Sequence, residues 1–523
     1  MVGVPGRSKG CSTCRYRKKG CDQLRPICGN CIRGGLECGG YERTIILVHA
    51  DDSGKGTYKP VVKKAQNRSQ QPGPMCGPVF VAPQSKGLNR TSFELRFYEN
   101  FWDLFLPPRS GPVDPCTTSF VSSGTQWADY TLNCVPRSEV TRCALLALST
   151  SKIGRDTEDK LLTRQGLELY GKALSLFAKE LQTPGKAKPF EVLNCCRILA
   201  LYEQLNDISA AARNWKGHIQ GLLSLVHQHP PEAFSHTGAH EIFLECRHNG
   251  VTSALANRKA TFLSKPEWIS GPWKSRHKDV VDTAFDILVK IPGVLEEWDL
   301  ISTRTSTGEA LRRARVFRDQ CSKVDHELSM WYSSFISVLA HAHPVEAEAL
   351  LNGTDRPAQQ TMIPDILAKV GLHHLHAMMI YWTTCMILHA TIDLVDDFFP
   401  MATSFGSEAP RLRGFQIIKY LICLAHSAKY FLGSEMGLLG PLIISYTGTG
   451  LIRTLYAHQA CFPEADPKDL EELRHVMKSI GSLRGFNTWQ MWKHGMDELN
   501  NDKKAIIDRY NHDHVDCKNG HLT

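Results

Sequence analysis

The chain has 523 residues, of which 42% are hydrophobic and 22% charged, ordinary values for a globular protein that buries a sizeable core. Residues 1–50 hold nine basic and three acidic residues and so carry +6 of the formal net charge of +8. This distribution predicts that the basic residues 1–50 bind a polyanion. The nearly neutral remainder of the chain is not expected to provide the main surface for that partner.

The first predicted element is a duplicated cysteine motif. Residues 11–21 have the spacing C-x2-C-x6-C, and residues 28–38 repeat it. Zinc takes four tetrahedral ligands and thiolates suit it, so a single ion would leave two cysteines unused. Two ions need two bridging cysteines, and the pseudo-symmetry predicts one bridge from each half. The predicted ligands are Cys11, Cys14, Cys21, Cys28, Cys31 and Cys38. A disulfide scaffold is the alternative, which a reducing compartment disfavours.

The stretch from Lys9 to Tyr41, KGCSTCRYRKKGCDQLRPICGNCIRGGLECGGY, resembles the fungal binuclear zinc cluster transcription factors. The resemblance implies two Zn²⁺ ions on six cysteines, with Cys11 and Cys28 bridging. It also implies that a short helix of the first half enters the DNA major groove at a CGG-type triplet. Gly20 departs from the pattern, because a basic residue usually precedes the third cysteine, and we expect one DNA contact fewer.

The basic residues of this module are the candidate DNA contacts. Ser12 is predicted to cap a short helix on which Arg15, Lys18 and Lys19 share one face. Arg or Lys donating to guanine is the commonest specific base contact. Lys18 matches the base-reading position of the family, and Arg17 lies beside it. Phosphate contacts, which position a module without reading sequence, are predicted for Arg15, Lys19, Arg25 and Arg33.

Two other kinds of partner are weighed against duplex DNA. A zinc module of this size can also bind RNA or a protein. RNA-binding modules usually interleave aromatic residues for base stacking, whereas Tyr16 is the only aromatic residue between Cys11 and Cys38. This composition favours double-stranded DNA.

Residues 42–90 are predicted to be a basic linker rich in proline, glycine and serine. Its composition cannot bury enough apolar surface to fold alone, although residues 44–48, TIILV, look like a strand. Its lysines suit phosphate attraction or nuclear import, and a solvated tether is the alternative. No sustained heptad lies between Gly39 and Arg90, so no coiled coil is predicted there and dimerisation is left open.

Residues 91–500 are predicted to form a large all-α domain, followed by a polar tail at 501–523. Thr91 and Glu94 have the spacing of a capping box ahead of Phe93, Phe97, Phe101 and Phe105. Two further apolar stripes have helical spacing. They are Tyr170, Ala173, Leu174, Phe177 and Leu181, and Leu311, Ala314, Phe317, Cys321, Val324, Leu328 and Trp331.

The body also resembles a family, the helical fungal-specific transcription factor regulatory domain. The resemblance lies in NWKGHIQGLLSL at 214–225 and CRHNGVTSALANRKATFLSKPEW at 246–268. It implies a regulatory domain behind the zinc module, with transcriptional co-regulators as candidate partners.

Neither secretion nor a membrane is expected. The N-terminal residues MVGVPGRSKG lack the apolar run of a secretory signal. The uncharged run from Val370 to Ile392 is long enough to span a bilayer, but its four histidines and three threonines favour a core helix. We therefore expect an intracellular protein that acts in the nucleus.

Enzyme motifs are incomplete. His240-Glu241 and His326-Glu327 each begin a H-E-x-x-H motif that lacks the second histidine, and no P-loop or G-x-S-x-G motif is present. His373 and His376 have no carboxylate or cysteine close in sequence. We predict a transcription factor of RNA polymerase II genes that regulates a metabolic, secondary-metabolite or resistance gene cluster. An unrecognised enzymatic activity of the body is the alternative.

Overall fold

The computed structural model describes residues 10–24, 28–38, 86–107, 118–183, 189–206, 211–302, 307–352, 362–399, 410–433, 436–444 and 447. The chain divides into two compact units, Met1–Val81 and Ala82–Thr523. The described part of the first unit contains two short helices, α1 (Ser12–Tyr16) and α2 (Gly29–Arg33). The strand predicted at 44–48, most of the linker and the tail at 501–523 lie outside the described residues.

The described part of the second unit is helical and contains no β-strand, which confirms the all-α body. Its longer helices are α3 (Lys86–Phe105), α4 (Thr118–Cys134), α5 (Glu139–Asp156), α6 (Lys160–Gln182), α7 (Pro189–Asn206), α8 (Ala211–His227), α9 (Ala239–Asn257), α11 (Val280–Leu288), α12 (Ile291–Ser302), α13 (Thr307–Ala342), α14 (Pro344–Asn352), α15 (Ile363–Val370), α16 (Leu372–Phe398) and α17 (Pro410–Leu432). Two helices of five residues are α10 (Pro266–Ser270) and α18 (Leu439–Ile443).

Polar caps explain where several of these helices begin. The Asp159 carboxylate accepts hydrogen bonds from the amides of Leu161 and Leu162 at 2.8 and 3.1 Å and so starts α6. Asp279 and Asp282 form a reciprocal capping box at the start of α11. Each cap satisfies amides that the first helical turn leaves without a partner.

The N-terminal half of the body packs around one apolar cluster formed by α3 to α7 and α18. Trp102, Phe105 and Trp127 meet at its centre, with ring centroids 5.0–5.6 Å apart. Aromatic rings in edge-to-face contact at this distance add to the energy of their burial. The cluster thereby fixes α3 and α4 against the α5–α7 layer.

The predicted start and apolar face of α3 are wrong. The helix begins at Lys86, five residues before the predicted boundary, so Thr91 lies inside it. The Glu94 carboxylate does not complete a capping box; it pairs with the Arg142 guanidinium on α5 at 2.8 Å. Along the predicted apolar face, Phe101 and Phe105 are buried, whereas Phe93 is 60% exposed.

The C-terminal half of the body packs around α16. This helix contacts α11, α12, α13, α15 and α17 and supplies much of the larger apolar cluster. Among the described residues it is the helix long and apolar enough to cross a membrane, and 78% of its apolar window is buried inside the body. The predicted core helix is therefore present, although it begins after Gly371, whose φ of 146° separates it from α15.

The two remaining apolar stripes are buried in large part. On α13, Ala314, Phe317, Cys321, Val324 and Leu328 are all buried, as predicted. On α6, Tyr170 and Ala173 are buried, whereas Leu181, near the C-terminal end of the helix, is 48% exposed. Helical periodicity identified these faces correctly except at one terminus.

Candidate metal centre and nucleic-acid interface

Six cysteines converge in the first unit. The sulfurs of Cys11, Cys14, Cys21 and Cys28 all lie within 4.8 Å of one another, and so do those of Cys11, Cys28, Cys31 and Cys38. Two four-sulfur groups therefore exist, and they share Cys11 and Cys28. Each group has the number of donors that one tetrahedral Zn²⁺ requires.

The sulfur spacing fits zinc. A zinc–sulfur bond of about 2.3 Å places tetrahedral sulfurs about 3.8 Å apart. Within the two groups, the Cys11–Cys28, Cys11–Cys31 and Cys14–Cys28 separations are 3.7, 3.8 and 3.6 Å. None of the cysteines in the described part of the chain forms a disulfide. The six residues therefore fit a two-ion thiolate centre, and the protein binds two zinc ions.

Burial makes this centre depend on a cation. Cys11, Cys14, Cys28 and Cys31 are at most 2% exposed. Burial raises the pKa of Cys28 to about 12. Buried sulfurs remain thiolates only when a nearby cation stabilises the charge, and bound Zn²⁺ supplies it.

The ligand cysteines also cap the two helices. The Cys14 amide donates to the Cys11 sulfur at 3.3 Å, and the Cys31 amide donates to the Cys28 sulfur at 3.3 Å. The prediction that Ser12 caps the first helix is therefore wrong, because Ser12 is its first residue and Cys11 provides the acceptor. Metal binding and helix initiation use the same atoms in both halves.

The two helices end in the same way. The Lys19 amide donates to the Cys14 carbonyl at 3.0 Å, and the Leu36 amide donates to the Cys31 carbonyl at 2.9 Å. Each bond closes a Schellman turn around a residue with left-handed backbone, Lys18 in the first half and Gly35 in the second. The helix therefore stops at Tyr16, and the predicted helical face shared by Arg15, Lys18 and Lys19 does not form.

A reciprocal pair of hydrogen bonds ties the halves together. The Thr13 hydroxyl donates to the Glu37 carbonyl at 2.9 Å, and the Asn30 amide donates to the Gly20 carbonyl at 2.7 Å. Thr13 and Asn30 hold equivalent positions, and each carbonyl directly precedes the third cysteine of the other half. We call this pair the cross-half clasp.

Asp22 adds a third link between the halves. Its carboxylate accepts a hydrogen bond from the Gly29 amide at 3.1 Å. The Arg33 guanidinium lies 4.0 Å from that carboxylate and donates to the Asn30 side chain at 2.7 Å. A Cβ on Gly29 would lie 2.5 Å from an Asp22 carboxylate oxygen, so a larger residue there would displace this carboxylate.

The candidate DNA contacts whose side chains the structure describes are all exposed. Arg17, Lys18 and Lys19 follow α1 directly and are all exposed. Arg33 is also exposed, with 76% of its side chain accessible. The side chain of Arg15 and the whole of Arg25 lie outside the described residues.

The remaining enzyme and metal candidates do not form sites. Glu241 is buried, and its carboxylate bonds the Gly238 amide. Glu327 pairs with Lys290. His373 lies 3.4 Å from the Asp279 carboxylate. Among the described residues, only the two cysteine groups have the geometry of a metal site.

A cavity of about 150 Å³ in the helical body was not predicted from the sequence. Its lining includes Trp127, Arg197 and Arg247, which come from α4, α7 and α9. The two buried arginines mark the cavity as unusual, because arginine is almost never fully buried unless paired. Their burial is visible only once the helices are assembled.

Comparison with known proteins identifies both parts of the chain. Residues 9–45 match the fungal Zn(2)-Cys(6) binuclear cluster domain. Residues 115–252 match the fungal specific transcription factor domain. The chain therefore carries a binuclear zinc cluster domain followed by a fungal specific transcription factor domain. Both are transcription factor domains rather than enzyme domains.

Two relatives share parts of the chain. An uncharacterized protein of Emericella nidulans, AN5342, is 28% identical over 164 residues, which make up 29% of this chain and 35% of that protein. Sterol uptake control protein 2 of Candida albicans is 57% identical over 30 residues, 6% of this chain and 4% of that protein. The chain thus matches about a third or less of the length of these relatives. No solved structure is significantly similar to it.

Proposed function

We propose that this protein acts in the nucleus as a sequence-specific regulator that reads a CGG-type triplet through residues 9–41. Cys11 and Cys28 would each hold both zinc ions, and their place as the sulfurs common to both groups of four supports this assignment. The observation that carries the proposal is the exposed Arg17–Lys19 run directly after α1. The clasp and the metal centre hold this run in a fixed position relative to the module.

Within the module, base reading and positioning fall to different residues. Lys18 and Arg17 donate to guanine in the major groove, while Arg15, Lys19, Arg25 and Arg33 contact phosphates. The left-handed backbone of Lys18 supports this division, since strained conformations cluster at functional positions. RNA or a protein is the alternative partner, and the presence of only one aromatic residue between Cys11 and Cys38, Tyr16, favours duplex DNA.

Zinc removal tests the proposed mechanism. A module this small has little apolar core, so zinc binding supplies its folding free energy. Full-length protein treated with a strong chelator should lose binding to a CGG duplex, and added zinc should restore it. Chelated protein that still selects CGG over a scrambled duplex would contradict the mechanism.

We further propose that the helical body regulates transcription through its cavity or through a co-regulator surface. Its near-neutral charge adds little to phosphate binding, and a passive dimerisation scaffold is the alternative. Residues 1–90 alone should select the same DNA motif as the full chain, while the transcriptional response in cells changes. Loss of motif selectivity on truncation would mean that the body takes part in reading DNA.

The regulated genes form a metabolic, secondary-metabolite or resistance cluster, a proposal that rests on the family alone. Genome-wide mapping of the bound sites would give the motif, the half-site spacing and the target genes together. Sites scattered over unrelated genes would contradict a pathway-specific role.

A further inference from the structure

The cavity of the helical body lies where its two apolar clusters meet. Helices α3, α7, α8, α11 and α18 contribute its apolar lining, which includes Phe105, Leu201, Ile219, Leu222, Phe285 and Leu442. The cavity volume is about 150 Å³. An engineered apolar cavity of about this volume in another protein binds benzene. The space therefore suits a compact ligand body about as large as one ring.

The charged side chains that line this cavity differ in how far a ligand can reach them. The carboxylates are the accessible ones, because the side chains of Asp279, Glu245 and Asp282 are 42%, 30% and 16% exposed. The Arg197 and Arg247 side chains are only 6% and 3% exposed. The charge that a ligand meets in the cavity is therefore negative.

Both arginines of the lining are already paired with carboxylates. Arg197 Nη2 lies 2.8 Å from a Glu245 oxygen. Arg247 bonds the Asp286 carboxylate, which does not line the cavity, and Lys278 pairs with the same carboxylate. Buried ions are normally compensated by such partners. Neither arginine therefore offers its charge to a ligand.

Two of the accessible carboxylates lie together where α11 begins. The Asp279 carboxylate accepts a hydrogen bond from the Asp282 amide at 2.8 Å, and the Asp282 carboxylate accepts one from the Asp279 amide at 3.3 Å. Burial and the charge of Asp279 raise the pKa of Asp282, as expected for a carboxylate beside a like charge. A cation at this point would stabilise the ionised form of both groups.

The histidines of the lining do not offset the negative charge. Burial lowers the pKa of His248, His373 and His376, so all three are neutral at pH 7 and above. The three lining carboxylates thus face two arginines, which leaves one negative charge in excess. His373 Nε2 lies 3.4 Å from the Asp279 carboxylate. Because a carboxylate has about four acceptor sites, Asp279 can also accept from a ligand.

We propose that this cavity binds a small organic monocation, a protonated primary amine with a compact apolar body, whose ammonium group pairs with Asp279. The apolar body packs against Phe285, one helical turn from Asp282, and against the walls contributed by α7 and α8. A carboxylate or phosphate ligand would add to the negative charge. A metal ion would lack ligands, because in the described part of the chain only the cysteine groups have the geometry of a metal site.

This proposal deepens the regulatory function proposed for the body. Binding of the amine is independent of DNA recognition, and only its effect on transcription rests on that proposed function.

Calorimetric titration of the full-length protein at pH 7.5 tests the binding. The probes are benzylammonium, cyclohexylammonium and 3-methylbutylammonium, each compared with the alcohol of the same shape, and benzoate is the anionic control. At least one ammonium ion should bind and raise the melting temperature. Its matched alcohol should bind at least about tenfold more weakly, because a charge-assisted hydrogen bond is lost, and benzoate should not bind. Absence of binding by all three ammonium ions, or equal binding of the matched alcohol, overturns the proposal.

Two variants exchange a capping aspartate for asparagine, one in the cavity and one outside it. Asp279→Asn keeps a side-chain oxygen to cap α11 but removes the charge. Ammonium binding should therefore weaken at least about tenfold, while binding of the alcohol stays unchanged. Asp159→Asn makes the same change at the start of α6 and should have no effect. Equal ammonium affinity in the wild type and in folded Asp279→Asn would show that Asp279 is not the counter-ion, and the proposal would be wrong.

A third variant locates the apolar body of the ligand. Ala200 is 3% exposed and lines the cavity, so Ala200→Leu fills part of the space and should abolish binding of the ammonium ion and of the alcohol. Wild-type affinity in folded Ala200→Leu would place the ligand elsewhere and overturn the proposal. If one of the two cavity variants does not fold, the other decides. Binding to a CGG duplex, measured separately, shows whether the proposed function fails independently.

Discussion

Lys18 and Gly35 hold equivalent positions in the two halves of the zinc module, and both have left-handed backbone, with φ of 54° and 58°. Glycine adopts this conformation at no steric cost, whereas another residue pays about 1–2 kcal/mol. The first half thus keeps a strained lysine where the second half uses glycine. This asymmetry coincides with the residue proposed to read a base.

Lys18→Gly should separate stability from recognition. The variant should stabilise the folded module by about 1 kcal/mol, because the left-handed strain is relieved. It should nevertheless bind a CGG duplex about 1–3 kcal/mol more weakly and discriminate less at the contacted base pair. Zinc retention against a chelator measures the first effect and fluorescence anisotropy the second. Gly35→Ala is the matched control and should lower stability. Unchanged discrimination in Lys18→Gly would remove Lys18 from base reading.

Arg33→Ala should weaken all duplexes alike. The proposed phosphate contact carries no sequence information, so the slope of log affinity against log salt should fall by about one. Titrations of CGG and scrambled duplexes at several salt concentrations give this slope. Because Arg33 also bonds the Asn30 side chain, zinc retention must be measured in parallel. A loss confined to the CGG duplex would show that Arg33 reads sequence.

The cross-half clasp should contribute to zinc retention. Thr13→Val and Asn30→Ala each remove one of its two hydrogen bonds and should cost about 0.5–1.5 kcal/mol. Chelator competition should show faster zinc release from both variants. Ser12→Ala is the control and should behave like the wild type, because the Cys11 sulfur already accepts the bond from the Cys14 amide. Wild-type release rates in both clasp variants would mean that the metal and the Asp22 contacts hold the halves without the clasp.

Two glycines on α6 should respond in opposite ways to the same change. A Cβ on Gly166 would lie 2.1 Å from the Ser151 hydroxyl and 2.7 Å from its amide nitrogen, so Gly166→Ala forces α5 and α6 apart. We expect a loss of about 1–3 kcal/mol in the free energy of unfolding. A Cβ on Gly171 would meet nothing within 4 Å, and Gly171→Ala should add about 0.5–1 kcal/mol. Urea unfolding of both variants checks the contrast, and equal effects would contradict this helix packing.

The helical body should lose stability in mild acid. Burial lowers the pKa of five histidines, His218, His240, His248, His373 and His376. Below about pH 6.5 the unfolded chain takes up protons that these folded histidines do not, so the free energy of unfolding falls as the pH falls. Asp282 and Glu180, whose pKa values burial raises, oppose this trend.

Unfolding by urea at pH 7.5 and pH 5.0 measures the acid effect. Stability should be clearly lower at pH 5.0, and His376→Gln should reduce the difference, because His376 is among the most buried of the set. Equal stability at the two pH values would mean that these histidines titrate alike in the folded and unfolded states.

The zinc module could be predicted from the sequence because its chemistry is local. Six cysteines at two repeated spacings leave few ways to bind a metal, and the sulfurs converge as that spacing implies. The helices of the body could also be predicted from the sequence, because the apolar residues of α13 recur with a helical period over many residues. The apolar stripe can be read from the sequence because successive side chains lie at fixed angles around the helix axis.

Contacts between distant segments were decided only by the tertiary structure. The role of Glu94 was mispredicted because its carboxylate pairs with Arg142 on another helix, a partner that no local spacing reveals. The left-handed turn at Lys18 is closed by the hydrogen bond from the Lys19 amide to the Cys14 carbonyl. It places Lys18 and Lys19 outside the predicted helical face. The cavity needs Trp127, Arg197 and Glu245 from three separate helices. The spacing of apolar residues identifies the buried side of a helix, whereas the packing of the helices decides which charged side chains pair.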